Sequence, residues 1–266
     1  MNDESMINER RFLAGPLVII SLTILLIGCR STPDGLDRVL ESGVLRVGMD
    51  ASFPPFEYVD EGRGLVGFDV DLAREVAARL GVEAQFVANL PYDGLYDALT
   101  AGRVDVAISA LYVDPSRTAA FAYSAPYFDA GQVLVVAEGT EGIGGMEDLA
   151  GRVLAVEFGS EGDVVARAWE RRLVGLLVLP CETADEALAG VTEGEADAAL
   201  VDHLSALAWA GGRLQVVEEM VTEEPYAVAV RREDRGLLRA VDEALADMEA
   251  DGTLARLRRR WFSSTP

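Results

Sequence analysis

Arg117 and Asp202 are the two side chains whose setting points most directly to chemistry. Arg117 lies in SALYVDPSRTAAFAYSAPYF, Ser109 to Phe128, directly after the short apolar run DVAI. A buried strand that runs into Ser, Tyr, an Asp-Pro turn and a lone Arg delivers polar groups at a strand end, where parallel α/β sheets place ligand contacts. A guanidinium offers two parallel hydrogen bonds to a carboxylate, which a lysine does not. Asp202 closes a second run, GEADAALVD. An aspartate there either accepts from an ammonium group or caps the helix that follows. If the two runs face each other, a cation and an anion look across a cleft, an arrangement that suits a zwitterion.

Other chemistry has few donors. His203 is the single histidine, so a triad or an imidazole base has one candidate at most. No Cys/His cluster has metal-ligand spacing, and no cofactor motif is present. The chain has 266 residues and a formal charge of −22, and all 23 basic residues are arginines. So acidic a surface argues against a nucleic-acid partner, whose phosphates require a basic face. Cys181, in PCETADEAL between a strand-like run and a helix, reads as a small buried residue.

The elements that must position these groups follow from periodicity. FDVDLAREVAARLG, Phe68 to Gly81, places Val70, Leu72, Ala73, Val76, Ala77 and Leu80 near one helical face, and Gly81 stops it. LDRVLESG reads as a helix ending at Gly43, and VLRVGMD as the strand after it. The most informative feature is an internal repeat: GRVDVAI, Gly102 to Ile108, recurs as GEADAAL, Gly194 to Leu200. Upstream, ESGVLRVG has a counterpart in LAGRVLAV, again helix end, glycine, strand. Two matches in the same order predict two similar α/β lobes, with mostly parallel sheets covered by helices on both faces.

The amino terminus stands apart. Arg10 and Arg11 precede the uncharged run FLAGPLVIISLTILLIG, a little short of the roughly twenty residues that span a bilayer. It ends in LIGC at Cys29 and resembles the bacterial lipoprotein signal, in which cleavage precedes the cysteine and its sulfur is lipidated. Residues 1–28 are then a signal peptide and 29–35 a tether, which places the remainder outside the cytoplasmic membrane. With Cys29 lipidated, Cys181 stands alone and no intrachain disulfide forms.

The body of the chain, roughly residues 36–262, resembles the family 3 extracellular solute-binding proteins, the amino-acid receptors of bacterial ABC importers. The motifs that carry the resemblance are LRVGMDASFPPFEY, GLVGFDVDLAREVAARLG, YDGLYDALTAGRVDVAIS, DPSRTAAFAYSAPYF and ADGTLARLRRRWF. It implies the two-lobed type II periplasmic-binding-protein fold with ligand in the interlobe cleft. Lobe 1 is then 36–127 with 226–262, lobe 2 is 131–222, and the hinges lie near Asp129 and Glu224.

It also implies the roles of individual residues. Arg117 takes a ligand α-carboxylate and Asp202 its α-ammonium, with Ser109 adding an acceptor and the Ala110 N–H helping at the carboxylate. Tyr112 stands where the family often has Ser or Thr, and Glu161 where Thr is common. Ser160 fits the pattern at a helix start suited to an anion, and Glu161 is expected to turn its side chain outward. Asp50, Phe53, Tyr92 and Glu157 form the side-chain end of the pocket, and the two carboxylates there favour a cationic ligand such as arginine, lysine or ornithine. The implied partners are a polar amino acid and a membrane permease, with no chemistry performed, and the acidic surface favours a monomer held by its lipid. The competing expectation is a cyclohexadienyl dehydratase on the same fold, with Glu157 or Glu161 as general acid.

Overall fold

The computed structural model describes residues 34–209 and 213–262. Cys29, the signal segment and residues 29–33 of the tether lie outside the described residues. Asp34 and Gly35, assigned to the tether from composition, are instead the N-cap and first residue of the helix Gly35–Ser42. The Asp34 carboxylate accepts from Leu36 N–H at 3.0 Å and also from Gly236 and Leu237 N–H at 2.8 and 3.2 Å. It therefore caps two helices at once, the second being Arg235–Ala250, whose own N-cap residue makes no side-chain cap bond. Burial pushes this carboxyl up, but the three N–H donors outweigh it and hold it below its ordinary value.

Two five-stranded sheets carry the chain, as the repeat predicts. The first runs in the spatial order Glu83–Val87, Val44–Gly48, Val106–Ala107, Ala229–Arg231, Phe121–Tyr123. The second runs Leu177–Cys181, Val153–Glu157, Ala198–Asp202, Gln132–Ala137, Leu214–Met220. In each, the fourth strand is antiparallel to both of its neighbours. Val-rich runs such as QVLVVA are buried almost throughout because helices cover both faces. Separate apolar clusters occupy the two faces of each sheet.

Both halves repeat one device. Asp105 accepts Arg46 N–H at 3.0 Å and pairs with the Arg46 guanidinium at 2.6 Å. Asp197 accepts Val153 N–H at 2.8 Å and pairs with Arg152 at 3.1 Å. The aspartate of each repeat thus ties its strand to the preceding parallel neighbour.

Two crossing segments join the sheets. Phe128–Asp129 pairs antiparallel with Pro225–Tyr226. A Cβ at Gly131 would lie 2.0 Å from the Thr222 carbonyl oxygen, so only glycine allows the two segments to cross so closely. Asp129 accepts from Gly131 and Glu224 N–H at 2.9 and 2.8 Å. His203 places Nδ1 2.7 Å from the Asp129 carbonyl oxygen and stacks on Phe128, which makes the single histidine part of this crossing. Among the described residues no helix is long and apolar enough to cross a membrane.

Candidate functional site

Close backbone approach sets the floor of the site. At Gly67, φ is +141° and a Cβ would sit 2.0 Å from the Phe56 carbonyl oxygen. That contact lets Phe68 and Asp69 N–H donate to Pro55 and Phe56 carbonyls at 3.0 and 2.8 Å. The helix Phe68–Arg79 therefore starts against the strand Glu57–Asp60. Beneath lies an aromatic core: Phe56 contacts Phe53, Phe68, Phe128, Tyr226 and Phe262 with ring centroids 5.2 to 6.0 Å apart.

Above this floor, at the carboxyl ends of Val44–Gly48 and Val106–Ala107, is a cavity of about 390 Å³. Its lining includes six residues expected from sequence: Asp50, Phe53, Tyr92, Ser109, Ala110 and Tyr112. Ser52, Glu57, Glu224 and Tyr226 complete it. Phe53 and Tyr112 are 44 % and 45 % exposed, so aromatic faces are available to a ligand. Tyr112 stacks on Tyr92 with centroids 6.5 Å apart, forming a wall where a smaller hydroxyl residue was the family expectation. Burial raises the Tyr92 phenol to about 12, so it is a neutral donor.

Hydrogen bonds fix the polar edge. Asp50 N–H donates to Ser109 Oγ at 3.0 Å, and Ser109 donates onward to Glu57 Oε1 at 2.8 Å. Asp50 accepts from Tyr92 N–H at 3.0 Å and from the Ser52 hydroxyl at 2.8 Å. The Ala110 N–H, expected to be free for a ligand, donates instead to the buried Asp69 carboxylate at 2.6 Å. A buried carboxylate needs donors, and this one holds Ala110 at φ +42°, where a non-glycine residue rarely sits. Ser109 keeps one lone pair that can accept from a ligand.

The remaining expected residues are not brought into this cavity. The Arg117 guanidinium lies 4.3 Å from the Tyr96 ring centroid, and its Nε donates to Asp114 at 3.1 Å. Asp202 caps the helix His203–Trp209, accepting from Ser205 N–H at 2.9 Å and from its hydroxyl at 2.6 Å. The capping role is thus present. Ser160 is the N-cap of Glu161–Glu170. Glu157 ends its strand, and Glu161, the first residue of that helix, is exposed. These four belong to the second sheet and its helices. Two of them still act on the cavity by charge: burial, then Glu161, Asp129 and Asp202, raise the Glu224 carboxyl above its ordinary value. Cys181 is half-buried rather than buried and lies in a separate hollow with Glu182 and Glu186.

Sequence reasoning missed Ser52, Glu57, Glu224 and Tyr226 as lining residues. Glu57 stood inside a quoted motif, FPPFEY, and Glu224 at a predicted hinge. Neither carried a signal separating a pocket group from a solvated one.

Comparison with known proteins agrees with this architecture. Residues 45–264 match the family model of bacterial extracellular solute-binding proteins, family 3. The chain belongs to that family. The L-cystine-binding protein TcyJ of Escherichia coli strain K12 is 33 % identical over 234 residues, covering 86 % of each chain. Among solved structures, the L-cystine solute receptor of Neisseria gonorrhoeae in the unliganded open conformation has a TM-score of 0.71 at 27 % identity, covering 87 % of this chain and 97 % of that one. An ancestral cyclohexadienyl dehydratase gives 0.74 at 28 % identity with the same coverage. An ancestral arginine-binding protein bound to arginine gives 0.50 at 36 % identity, covering 83 % of this chain and 99 % of that one. The fold is the two-lobed type II solute-binding fold.

Proposed function

We propose that this solute-binding protein is an extracytoplasmic lipoprotein, anchored through Cys29, that captures a polar amino acid, a basic one first, and delivers it to an ABC importer. The observation that carries the ligand class is the cavity lining: the carboxyl groups of Asp50 and Glu224 beside Phe53, Tyr92, Tyr112 and Tyr226, with no basic residue in the lining. Carboxylates with aromatic faces attract an ammonium or guanidinium, and a guanidinium over an aromatic face adds roughly 0.5–2 kcal/mol.

The proposed lobes are 36–127 with 226–262, and 131–222. In this reading Arg117 takes the α-carboxylate, and Asp202, with Glu157, Ser160 and Glu161 beside it, meets the ligand when the lobes close. The stacking on Tyr96 and the bond to Asp114 hold the Arg117 stem and one edge, and its two terminal amino groups make no hydrogen bond among the described residues. The likeness in shape is greater to the unliganded open receptor than to the arginine-loaded protein, although the latter is nearer in sequence. That supports reading the described state as the open one.

Calorimetric titration of the purified protein with arginine, lysine, ornithine, cystine and glutamine tests this. A ligand at a hundred times its dissociation constant also adds about 2.7 kcal/mol of stability. Binding of glutamine without arginine ends the cationic reading. A response to cystine alone moves the ligand to the class named for TcyJ. Turnover of prephenate, with Glu157 or Glu161 as the acid, makes the protein an enzyme.

A further inference from the structure

Beneath the cavity two carboxyl groups meet in the interior. Glu57 is 1 % exposed and Asp69 is wholly buried. Each has one oxygen well placed: Glu57 Oε1 accepts from Ser109, and Asp69 Oδ2 accepts from Ala110 N–H and from the Tyr127 hydroxyl at 2.9 Å. The other two oxygens, Glu57 Oε2 and Asp69 Oδ1, are buried with no donor. Two ionised carboxylates left this way would carry an uncompensated desolvation cost as well as mutual repulsion. A single proton removes both problems, because a protonated carboxyl becomes a donor and its neighbour is an acceptor.

We propose that Glu57 and Asp69 hold one proton between them, forming a proton-binding site that positions Ser109 and Ala110 at the edge of the ligand cavity. The proton resides on Glu57. Burial, then the Asp69 charge, pushes Glu57 far above the ordinary carboxylate range, while Ser109 opposes that. Burial also raises Asp69, but the Ala110 N–H and the Tyr127 hydroxyl favour its charged form. The facing groups act in the same sense. Asp50 repels a charge on Glu57, and the phenols of Tyr92, Tyr127 and Tyr226 are neutral neighbours raised by the same burial. The site thus stays loaded through neutral pH, and Glu57 contributes no charge to the cavity.

The link to ligand rests on the receptor reading, but the proton can be tested without ligand. Infrared spectra of the purified protein at pH 7 are expected to show the carbonyl band of a buried protonated acid, lost in Glu57→Gln. An acid whose folded value is raised binds its proton more tightly in the folded state, so its contribution to stability falls as pH rises. In urea unfolding between pH 6 and pH 8, the folding constant of the natural protein should fall about tenfold per pH unit relative to Glu57→Gln, whose amide donates permanently. A third arm uses arginine as probe: Glu57→Ala weakens binding and Glu57→Gln restores most of it. Absence of the band at pH 7, or equal pH slopes for the two proteins, overturns the proposal. If a band appears only when sodium is replaced by choline, a metal cation and not a proton holds the pair, which also overturns it. If arginine fails to bind while the band and slope are as expected, the fault lies in the ligand reading alone.

Discussion

The two lobes use the same aspartate device in different surroundings. In lobe 1, Asp105 is 2 % exposed, and the strand Ala229–Arg231 brings Arg231 alongside it at 3.9 Å. Arg231 also donates to the carbonyls of Leu99 and Val104 at 2.7 and 3.0 Å, closing the sheet end. In lobe 2 the register that pairs Val136 with Ala198 brings Ala137 to the matching place, and Asp197 is 37 % exposed. The difference lies in the fourth strand. Lobe 1 receives it from the carboxyl-terminal part of the chain, lobe 2 from the segment that has just crossed over. The same short motif thus becomes a buried tie in one half and a half-exposed ion pair in the other. The cavity divides the same way: all its lining residues lie in lobe 1 or at the Glu224–Tyr226 crossing.

The largest expected effect sets the two aspartates against each other. Asp105→Ala leaves the Arg46 N–H without its buried acceptor and should cost about 3 kcal/mol in urea unfolding. Asp197→Ala should cost about 1 kcal/mol or less, since an exposed pair contributes little. Equal costs would show that burial does not separate the two copies. Next come the caps. Asp34→Ala removes acceptors from two helix starts and should cost about 2 kcal/mol, against about 1 kcal/mol for Ser160→Ala in lobe 2.

In ligand binding, Arg117→Lys should weaken affinity about tenfold, because a lysine cannot offer the paired donors. Titration of the variant with arginine checks this, and an unchanged affinity would leave Arg117 a surface residue stacked on Tyr96. The smallest effect concerns Glu224, whose carboxyl is raised. The folded protein holds that proton more tightly than the unfolded chain, so this contribution to stability is fully present at acid pH. It is lost as pH rises above the ordinary glutamate value and through the folded one. Glu224→Gln should therefore flatten the pH dependence of thermal unfolding in that acid window.

The fold was legible because it is written locally. The helix over Phe68–Arg79 buries Val70, Leu72, Ala73, Val76 and Ala77 as periodicity required, and only Leu80 is less covered than expected. The repeat forecast two sheets of like order because each copy is a helix end, a strand and an aspartate that acts on its near neighbour. Of the six expected lining residues, Ser109, Ala110 and Tyr112 were legible as the end of a strand, and Asp50, Phe53 and Tyr92 only through the family resemblance.

The chain's own pattern determined its elements and the repetition of one α/β unit in two lobes. Those properties depend on neighbours in sequence, through periodicity, turns and composition. Only the tertiary structure decided that Glu57 meets Asp69, that Ala110 spends its N–H on that pair, and that Glu224 reaches the cavity rim. Each of those outcomes depends on which backbone segments pass within a few ångströms of one another, at Gly67 against Phe56 and at Gly131 against Thr222. Burial then sets which charges survive, and burial is a property of the assembled fold.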